Sequence, residues 1–141
     1  VLFTNPQLAF RGHIVALIDG DTYSDGETMA EGLKRLGIAS LIGTTTAGAG
    51  IWLSDQNRLR DNGIARAAES GLFVHDGPGS KDEHKWIIEG DGVKPDMEVD
   101  NLPFNGGDAQ LDAAIAYLMD KLYKEPIKTP VIPPYPVRIK P

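Results

Sequence analysis

Apolar residues along this chain occur in short runs and at regular intervals, and the two patterns predict alternating strands and helices. Residues 14–18 form an apolar run that is typical of a buried strand. Ser24 begins a helical pattern that Gly37 ends. The apolar residues of this pattern recur at helical spacing and predict its buried face: Met29, Leu33 and Leu36. Residues 38–42 form a second apolar run, and a strand, helix, strand order favours a parallel sheet.

Short strands and one long helix are predicted for the rest of the chain. The strand candidates are short segments bounded by turn residues, at 51–53, 58–60, 64–67, 72–75 and 86–88. Asn62-Gly63 is a hairpin signal between two of them. Asp108 is predicted to cap a helix that continues to residue 124 and stops before Pro126. The spacing predicts its apolar face: Leu111, Ala114 or Ile115, Leu118 and Leu122.

Composition narrows the classes of function. The length of 141 residues suits about one domain, and a hydrophobic content of 41% is enough for a core. The net charge of −6, without a basic run, makes nucleic acid and anionic membrane poor partners. The chain has no cysteine, which excludes disulfides, thiolate metal sites and cysteine catalysis but leaves the compartment open. No apolar run approaches the ~20 residues of a membrane span.

Proline sets the last part of the chain apart from the rest. Residues 130–141 contain five prolines, at positions 130, 133, 134, 136 and 141. Residues 126–141 are therefore predicted to be an extended tail that lies on a surface or reaches a partner. Residues 1–125 are expected to form the folded part.

A serine stands where the first strand passes into the first helix. At a helix N-terminus the backbone N–H groups are unpaired and the helix dipole is positive, so a developing oxyanion beside Ser24 would be stabilised. There is a structural alternative, because Ser24 and Glu27 have the spacing of a capping box. The spacing alone favours the cap, and Asp19 and Asp21 are equally consistent with ordinary turn residues.

Two later segments are further candidates for a site. Residues 43–50 are rich in glycine and threonine but lack the Gly-Lys-Ser/Thr ending of a phosphate loop. They are either a flexible loop or a loop whose backbone approaches a substrate closely. Glu89 follows an apolar segment and precedes a glycine turn, which suits a site residue but also a turn or surface acid.

The histidines offer little chemistry on their own. His13 lies at the start of the first strand, at the end opposite Ser24, and a strand of this length spans ~17–20 Å. His75 and His84 are close to Asp76, Asp82 and Glu83, but the spacing is not that of a zinc site. All three histidines are consistent with surface or loop positions, and no metal is predicted.

Four motifs in order resemble the catalytic core of tricorn-type and C-terminal-processing serine peptidases. They lie at residues 15–27, 42–48, 88–96 and 108–115, and the resemblance covers roughly residues 10–122. The C-terminal-processing branch places a base lysine in a Gly-Lys-Gly setting, where this chain has Gly48-Ala49-Gly50. The tricorn-like branch uses a Ser-Asp dipeptide and a glutamate before Gly-Val-x-Pro-Asp. This chain has Ser24-Asp25 and Glu89 in those settings, so the tricorn branch fits better.

The resemblance implies a fold and a set of roles. The fold is α/β, with the spiral ββα core shared with the Clp peptidase and crotonases, in which helices pack on parallel strands. Ser24 is the nucleophile and Glu89 the distal acid of a Ser/His/Ser/Glu tetrad, and the Asp25 backbone N–H is an oxyanion donor. Thr46 and Gly48 belong to the substrate loop.

The resemblance also implies what lies outside this chain. The histidine and the second serine of the tetrad lie upstream, so residues 1–125 are expected to be the C-terminal part of a catalytic domain. The isolated chain is then inactive. The reaction uses no cofactor, the substrate is a peptide or protein, and the parent is a homo-oligomer, a trimer or hexamer.

Two other classes of function stay open. The same fold could be a non-catalytic peptide-binding module, with Ser24 and Glu89 as cap and turn residues. A crotonase-like acyl-CoA enzyme is a weaker alternative, because the sequence has no evident patch of arginine or lysine for the CoA phosphates.

Overall fold

The computed structural model describes residues 10–75, 85–102 and 106–128, together with residues 131 and 134. His84 and most of the predicted proline-rich tail lie outside these residues. The described residues form five strands and two helices: β1 (Val15–Ile18), α1 (Asp25–Arg35), β2 (Ser40–Gly43), β3 (Ile51–Ser54), β4 (Ala67–Gly71), β5 (Met97–Glu98) and α2 (Ala109–Lys124). Neither of these helices is long and apolar enough to cross a membrane.

The strands are divided between a parallel sheet and a hairpin. The parallel sheet has the order β1-β2-β5, with Val15 opposite Ser40 and Ile42 opposite Met97. β3 and β4 pair antiparallel as a separate two-stranded sheet. The predicted strand, helix, strand unit is therefore confirmed, and the fold is mixed α/β with helices beside parallel strands.

The core lies between α1, the central strand β2 and the turn that follows residue 87. Leu41 of β2 is fully buried and packs with Ile18 of β1 and Ala30 of α1. Ile88 and Val93 close the same cluster from the turn. One core therefore joins the carboxyl end of β1, α1 and this turn. The loops beside these three elements are brought close together.

The predicted buried face of α1 is wrong. Met29 is 66% exposed and Leu36 is 74% exposed, whereas the buried residues of this helix are Glu27 and Ala30. The three-stranded sheet is narrow, and the helix approaches it through a small alanine. Of the three residues that the spacing selects, only Leu33 is half-buried, and Met29 and Leu36 are exposed.

The predicted face of α2 needs a similar correction. Its buried residues are Gln110, which the spacing did not select, and Ala114, which it did. Three of the predicted apolar residues are exposed: Leu111, Ile115 and Leu122. The bounds of this helix agree with the prediction, and Asp108 caps it by accepting a hydrogen bond from the Leu111 N–H at 2.9 Å.

The predicted strand at 86–88 is also wrong. Trp86 makes only an isolated bridge with Phe73, and their rings meet edge to face with centroids 5.8 Å apart. Ile88 has a φ of +74°, which no strand residue adopts. The Asn62-Gly63 turn does form, joining Arg58 and Ile64 across a single bridge.

Candidate active site

Ser24 occupies the turn between β1 and α1 in a strained backbone conformation. Its φ is +54° and its ψ is −122°, a region that residues with a side chain rarely adopt. The turn before it is tied by Asp19, whose Oδ1 accepts from the N–H groups of Asp21 and Thr22, both at 3.0 Å. Strain of this kind persists only where neighbouring groups hold the backbone in place.

The predicted capping box is present at this turn, with the Ser24 side chain facing the Glu27 N–H and the Glu27 side chain facing the Ser24 N–H. The Glu27 carboxylate accepts a hydrogen bond from the Ser24 N–H at 3.0 Å. The Ser24 side chain stands opposite the Glu27 N–H without completing a cap hydrogen bond. The Ser24 backbone is therefore fixed by Glu27 while its half-buried side chain makes no cap bond.

The N–H of Asp25 is the unpaired donor of this helix start. The next two N–H groups are used, since Gly26 donates to Tyr23 O at 3.1 Å and Glu27 donates to Ser24 O at 2.9 Å. Within the part of the chain that the structure describes, no acceptor pairs with the N–H of Asp25. This donor lies next to Ser24 at the positive end of the helix dipole.

Glu27 joins the start of α1 to the loop that follows β2. Its side chain is 0% exposed, and its Oε1 accepts from Thr46 Oγ1 at 2.5 Å and from the Gly48 N–H at 2.7 Å. Its Oε2 accepts from the Ala49 N–H at 2.8 Å in addition to the Ser24 N–H. Burial by itself raises the pKa of this carboxyl, but the hydrogen bonds from Thr46 and the backbone outweigh burial and hold the pKa below its ordinary value.

Glu89 takes the next donor of the same loop. Its Oε2 accepts from the Gly50 N–H at 2.8 Å, and Gly48 O accepts from the Gly90 N–H at 2.9 Å. A Cβ on Gly50 would stand 2.7 Å from the Glu89 N, so only glycine permits this approach. Of three consecutive loop N–H groups, those of residues 48 and 49 thus donate to Glu27 and that of residue 50 donates to Glu89.

The turn that carries Glu89 is itself strained and anchored. Ile88 is buried with a positive φ, which is an outlier for a β-branched residue. The Val93 N–H donates to Thr46 Oγ1 at 2.7 Å, and the Thr46 N–H donates to Val93 O at 3.2 Å. Glu89 is exposed, so its carboxylate is accessible from solvent.

The structure thus gathers the sequence-predicted residues into one hydrogen-bonded set. Ser24, with Asp25 next to it in the chain, is linked through Glu27 to the loop of Thr46 and Gly48, and that loop is bonded to Glu89. Thr46 is only 6% exposed and its hydroxyl is used twice within the set, so this side chain holds the loop from inside.

The sequence did not indicate that Glu27 binds the loop after β2. The Ser24-x-x-Glu27 spacing identified it only as half of a capping box. Its other partners lie 19 to 22 positions further along the chain. No local pattern reports contacts at such a separation.

His13 lies elsewhere, as its position before β1 predicted. Its Nε2 is 2.8 Å from Glu125 O, beyond the end of α2. Ser24 lies past the other end of β1, so His13 does not belong to the hydrogen-bonded set around Ser24.

Comparison with known proteins identifies the family of this chain. The sequence profile of peptidase family S41 matches residues 3–99, a span that includes both Ser24 and Glu89. The chain belongs to peptidase family S41. The resemblance indicated by the four sequence motifs is therefore confirmed.

Tricorn proteases are among the S41 relatives of this chain. It is 35% identical over 128 residues to tricorn protease homolog 1 of Streptomyces coelicolor, which covers 89% of this chain and 11% of that protein. It is 31% identical over 120 residues to the tricorn protease of Thermoplasma acidophilum, with 83% and 11% covered. The crystal structure of the tricorn protease matches with a TM-score of 0.70 and 29% identity, over 87% of this chain and 12% of that one. This S41 chain spans about a tenth of the length of these relatives.

Proposed function

We propose that this chain carries the nucleophile half of a serine peptidase active site, with Ser24 as the nucleophile. The observation that supports this most directly is the conformation of Ser24. Its backbone is strained, its hydroxyl makes no cap hydrogen bond, and the adjacent Asp25 N–H has no acceptor among the described residues. A serine held solely as a helix cap would not need the strain, because cap residues ordinarily have an unstrained extended backbone.

The proposed reaction follows the logic of a serine triad. The Ser24 Oγ attacks the peptide carbonyl while a histidine from upstream sequence takes its proton. The carbonyl oxygen becomes an oxyanion, and the Asp25 N–H and the N-terminal dipole of α1 stabilise it. The intermediate then collapses, the histidine protonates the leaving amine, and water hydrolyses the acyl-serine by the same steps in reverse.

Glu89 is proposed as the distal acid of the tetrad. It acts on the histidine through a second serine, which also comes from upstream sequence. The Gly50 N–H holds one of its oxygens, and its exposure leaves the carboxylate accessible to such a partner. Gly48 remains the proposed substrate-loop residue, and Thr46 supports that loop from within.

The proposal also divides the chain into a folded part and a tail. Residues 1–125 are the C-terminal part of a catalytic domain, and residues 126–141 are an extended tail. The small share of the tricorn relatives that this chain covers supports an origin in a longer polypeptide. The parent acts on peptides or proteins as a homo-oligomer, a trimer or hexamer, and exposed apolar residues on the outer face of α2 are consistent with such contacts: Leu111, Ile115 and Met119.

One observation favours a peptide-binding module without catalysis. Both halves of the capping box are in place at Ser24 and Glu27, so part of the arrangement at Ser24 has a purely structural explanation. In that function, Ser24 and Glu89 hold the turn and the loop, and no upstream histidine approaches Ser24.

Fluorophosphonate labelling, followed by peptide mass mapping, tests the proposal. The probe is applied to the full-length protein and to this chain alone, with Ser24→Ala variants of both as controls. We expect label on Ser24 in the full-length protein and none in the chain, because a serine without its base is a weak nucleophile. Label on Ser24 in neither would favour the binding module, and equal label in both would contradict the missing-base argument.

A further inference from the structure

We infer that Glu27 is a positioning residue of the peptidase site, holding Ser24, the Asp25 N–H and the loop at 46–49 in one fixed arrangement. This inference rests on the proposed function and adds to it a residue outside the tetrad. The side chain of Glu27 touches no solvent, so its role is exerted through the groups that it binds.

Four donors converge on the two oxygens of Glu27. They come from Thr46 and Gly48 on Oε1, and from Ala49 and Ser24 on Oε2, at distances between 2.5 and 3.0 Å. A carboxylate offers about four lone-pair positions, and each of them has a donor here. The negative charge of the carboxylate strengthens these hydrogen bonds, and the bonds in turn hold the pKa of Glu27 below its ordinary value despite burial.

The bond from Ser24 is the one that matters for the reaction. Ser24, the proposed nucleophile, has a positive φ, and this strain must be imposed by its surroundings. The hydrogen bond from the Ser24 N–H to Glu27 fixes the peptide plane that precedes Ser24. The next peptide plane, which carries the Asp25 N–H, is held by α1 itself, because Ser24 O accepts from the N–H groups of Glu27 and Thr28 at 2.9 and 3.2 Å. With both planes held, the strained angle between them at Ser24 is fixed, and the Glu27 carboxylate provides the restraint on the first plane.

The bonds from Gly48 and Ala49 extend the restraint to the other side of the site. The next loop residue, Gly50, donates to Glu89. The position of Glu89 relative to Ser24 is therefore set by a continuous path of hydrogen bonds that passes through Glu27.

The variant Glu27→Gln separates the charge of this side chain from its shape. Glutamine has nearly the same volume, but its NH₂ replaces one carboxylate oxygen. In one orientation the NH₂ meets the N–H groups of Ser24 and Ala49, and in the other it meets the N–H of Gly48. Either orientation sets donor against donor, so the arrangement must shift.

The test measures peptide hydrolysis by the full-length protein for each active site titrated with fluorophosphonate. For Glu27→Gln we expect kcat per titrated site to fall roughly 100-fold with KM within about twofold, the scale of a misplacement near 1 Å. The matched control is Glu31→Gln, one helical turn further along α1, where the glutamate pairs with Arg35 at the surface. This control should keep the wild-type kcat.

A second pair of variants tests the same hydrogen bond from the Thr46 side, with kcat read for each titrated site so that a smaller folded fraction does not affect it. Thr46→Val removes the hydroxyl that binds Glu27, and Thr46→Ser retains it. Loss of kcat per titrated site in Thr46→Val, with recovery in Thr46→Ser, supports positioning.

The outcomes separate this inference from the proposed function. An unlabelled wild-type protein would overturn the proposed function and the inference with it. A labelled wild type, together with variants that have fewer titratable sites but normal kcat per site, would overturn only the inference, because a purely structural role lowers the number of folded sites and not their rate.

Discussion

Thr46→Val is the sharpest test of the hydrogen-bonded set as a source of stability. The hydroxyl of Thr46 donates to Glu27 Oε1 at 2.5 Å and accepts from the Val93 N–H at 2.7 Å, and the side chain is buried. Valine has nearly the same shape but can do neither. The substitution therefore leaves a buried carboxylate short of one donor and a buried N–H without an acceptor.

The expected magnitude follows from these two losses. A hydrogen bond to a charged group contributes about 1.5–3 kcal/mol, and an unsatisfied buried N–H costs about 1–3 kcal/mol. Burying a methyl in place of the hydroxyl returns roughly 1 kcal/mol. The net loss in the free energy of unfolding is therefore about 2–5 kcal/mol, which is a large part of the stability of a small domain.

Urea denaturation, monitored by circular dichroism, measures this loss as a lower urea midpoint at an unchanged m-value. Thr46→Ser is the control, since it keeps both hydrogen bonds and loses only a methyl, at about 1 kcal/mol. A Thr46→Val protein no less stable than Thr46→Ser would refute the reasoning, because the hydroxyl would then contribute nothing.

Two further predictions concern strain and pH. Ser24→Gly should be about 1 kcal/mol more stable than Ser24→Ala in the same denaturation assay. Both variants lack the hydroxyl, but only alanine keeps the cost of a positive φ. Equal stabilities would mean that Ser24 is not strained. The pKa of Glu27 is lowered because its hydrogen bonds outweigh burial, and that of Asp96 is lowered because the Leu41 N–H and Lys34 outweigh burial. Groups with a lowered folded-state pKa contribute stability that is present above the unfolded-state value and lost as the pH falls through the folded-state value. The urea midpoint should therefore drop as the pH falls below about 4.5, the ordinary pKa of glutamate. The drop should be less steep in Glu27→Gln. Parallel curves for the two proteins would exclude Glu27 as a source of the pH dependence.

Local signals in the sequence were sufficient to predict where the helices begin and where the first helix ends. Ser24 and Gly37 bound the first helix, and Asp108 caps the second, because caps and breakers act within a few positions of the chain. The parallel pairing of β1 with β2 also followed from element order alone.

The buried faces of the helices could not be predicted in the same way. Apolar spacing in α1 selects Met29 and Leu36, but the sheet contacts Ala30. Which stripe of a helix is covered depends on the width of the sheet and on the angle of approach, and neither is encoded in the helix itself. The positive φ of Ile88 likewise arises from the packing of its turn, so an apolar segment that looked like a strand was not one.

The cap and the nucleophile were alternatives at the level of sequence, and the structure makes them compatible. A capping box has two halves, and at Ser24 they involve different atoms: the backbone N–H binds Glu27, whereas the side chain completes no cap bond. If the hydroxyl had been the capping group, its lone pairs would face the helix and attack on a carbonyl would require breaking the cap. Because the carboxylate of Glu27 provides the fixing bond instead, the Ser24 backbone is held, and the proposed attack by its oxygen would break no cap bond. The same carboxylate binds the loop that leads to Glu89, so one buried charge accounts for both the strained turn and the order of the loop beside it.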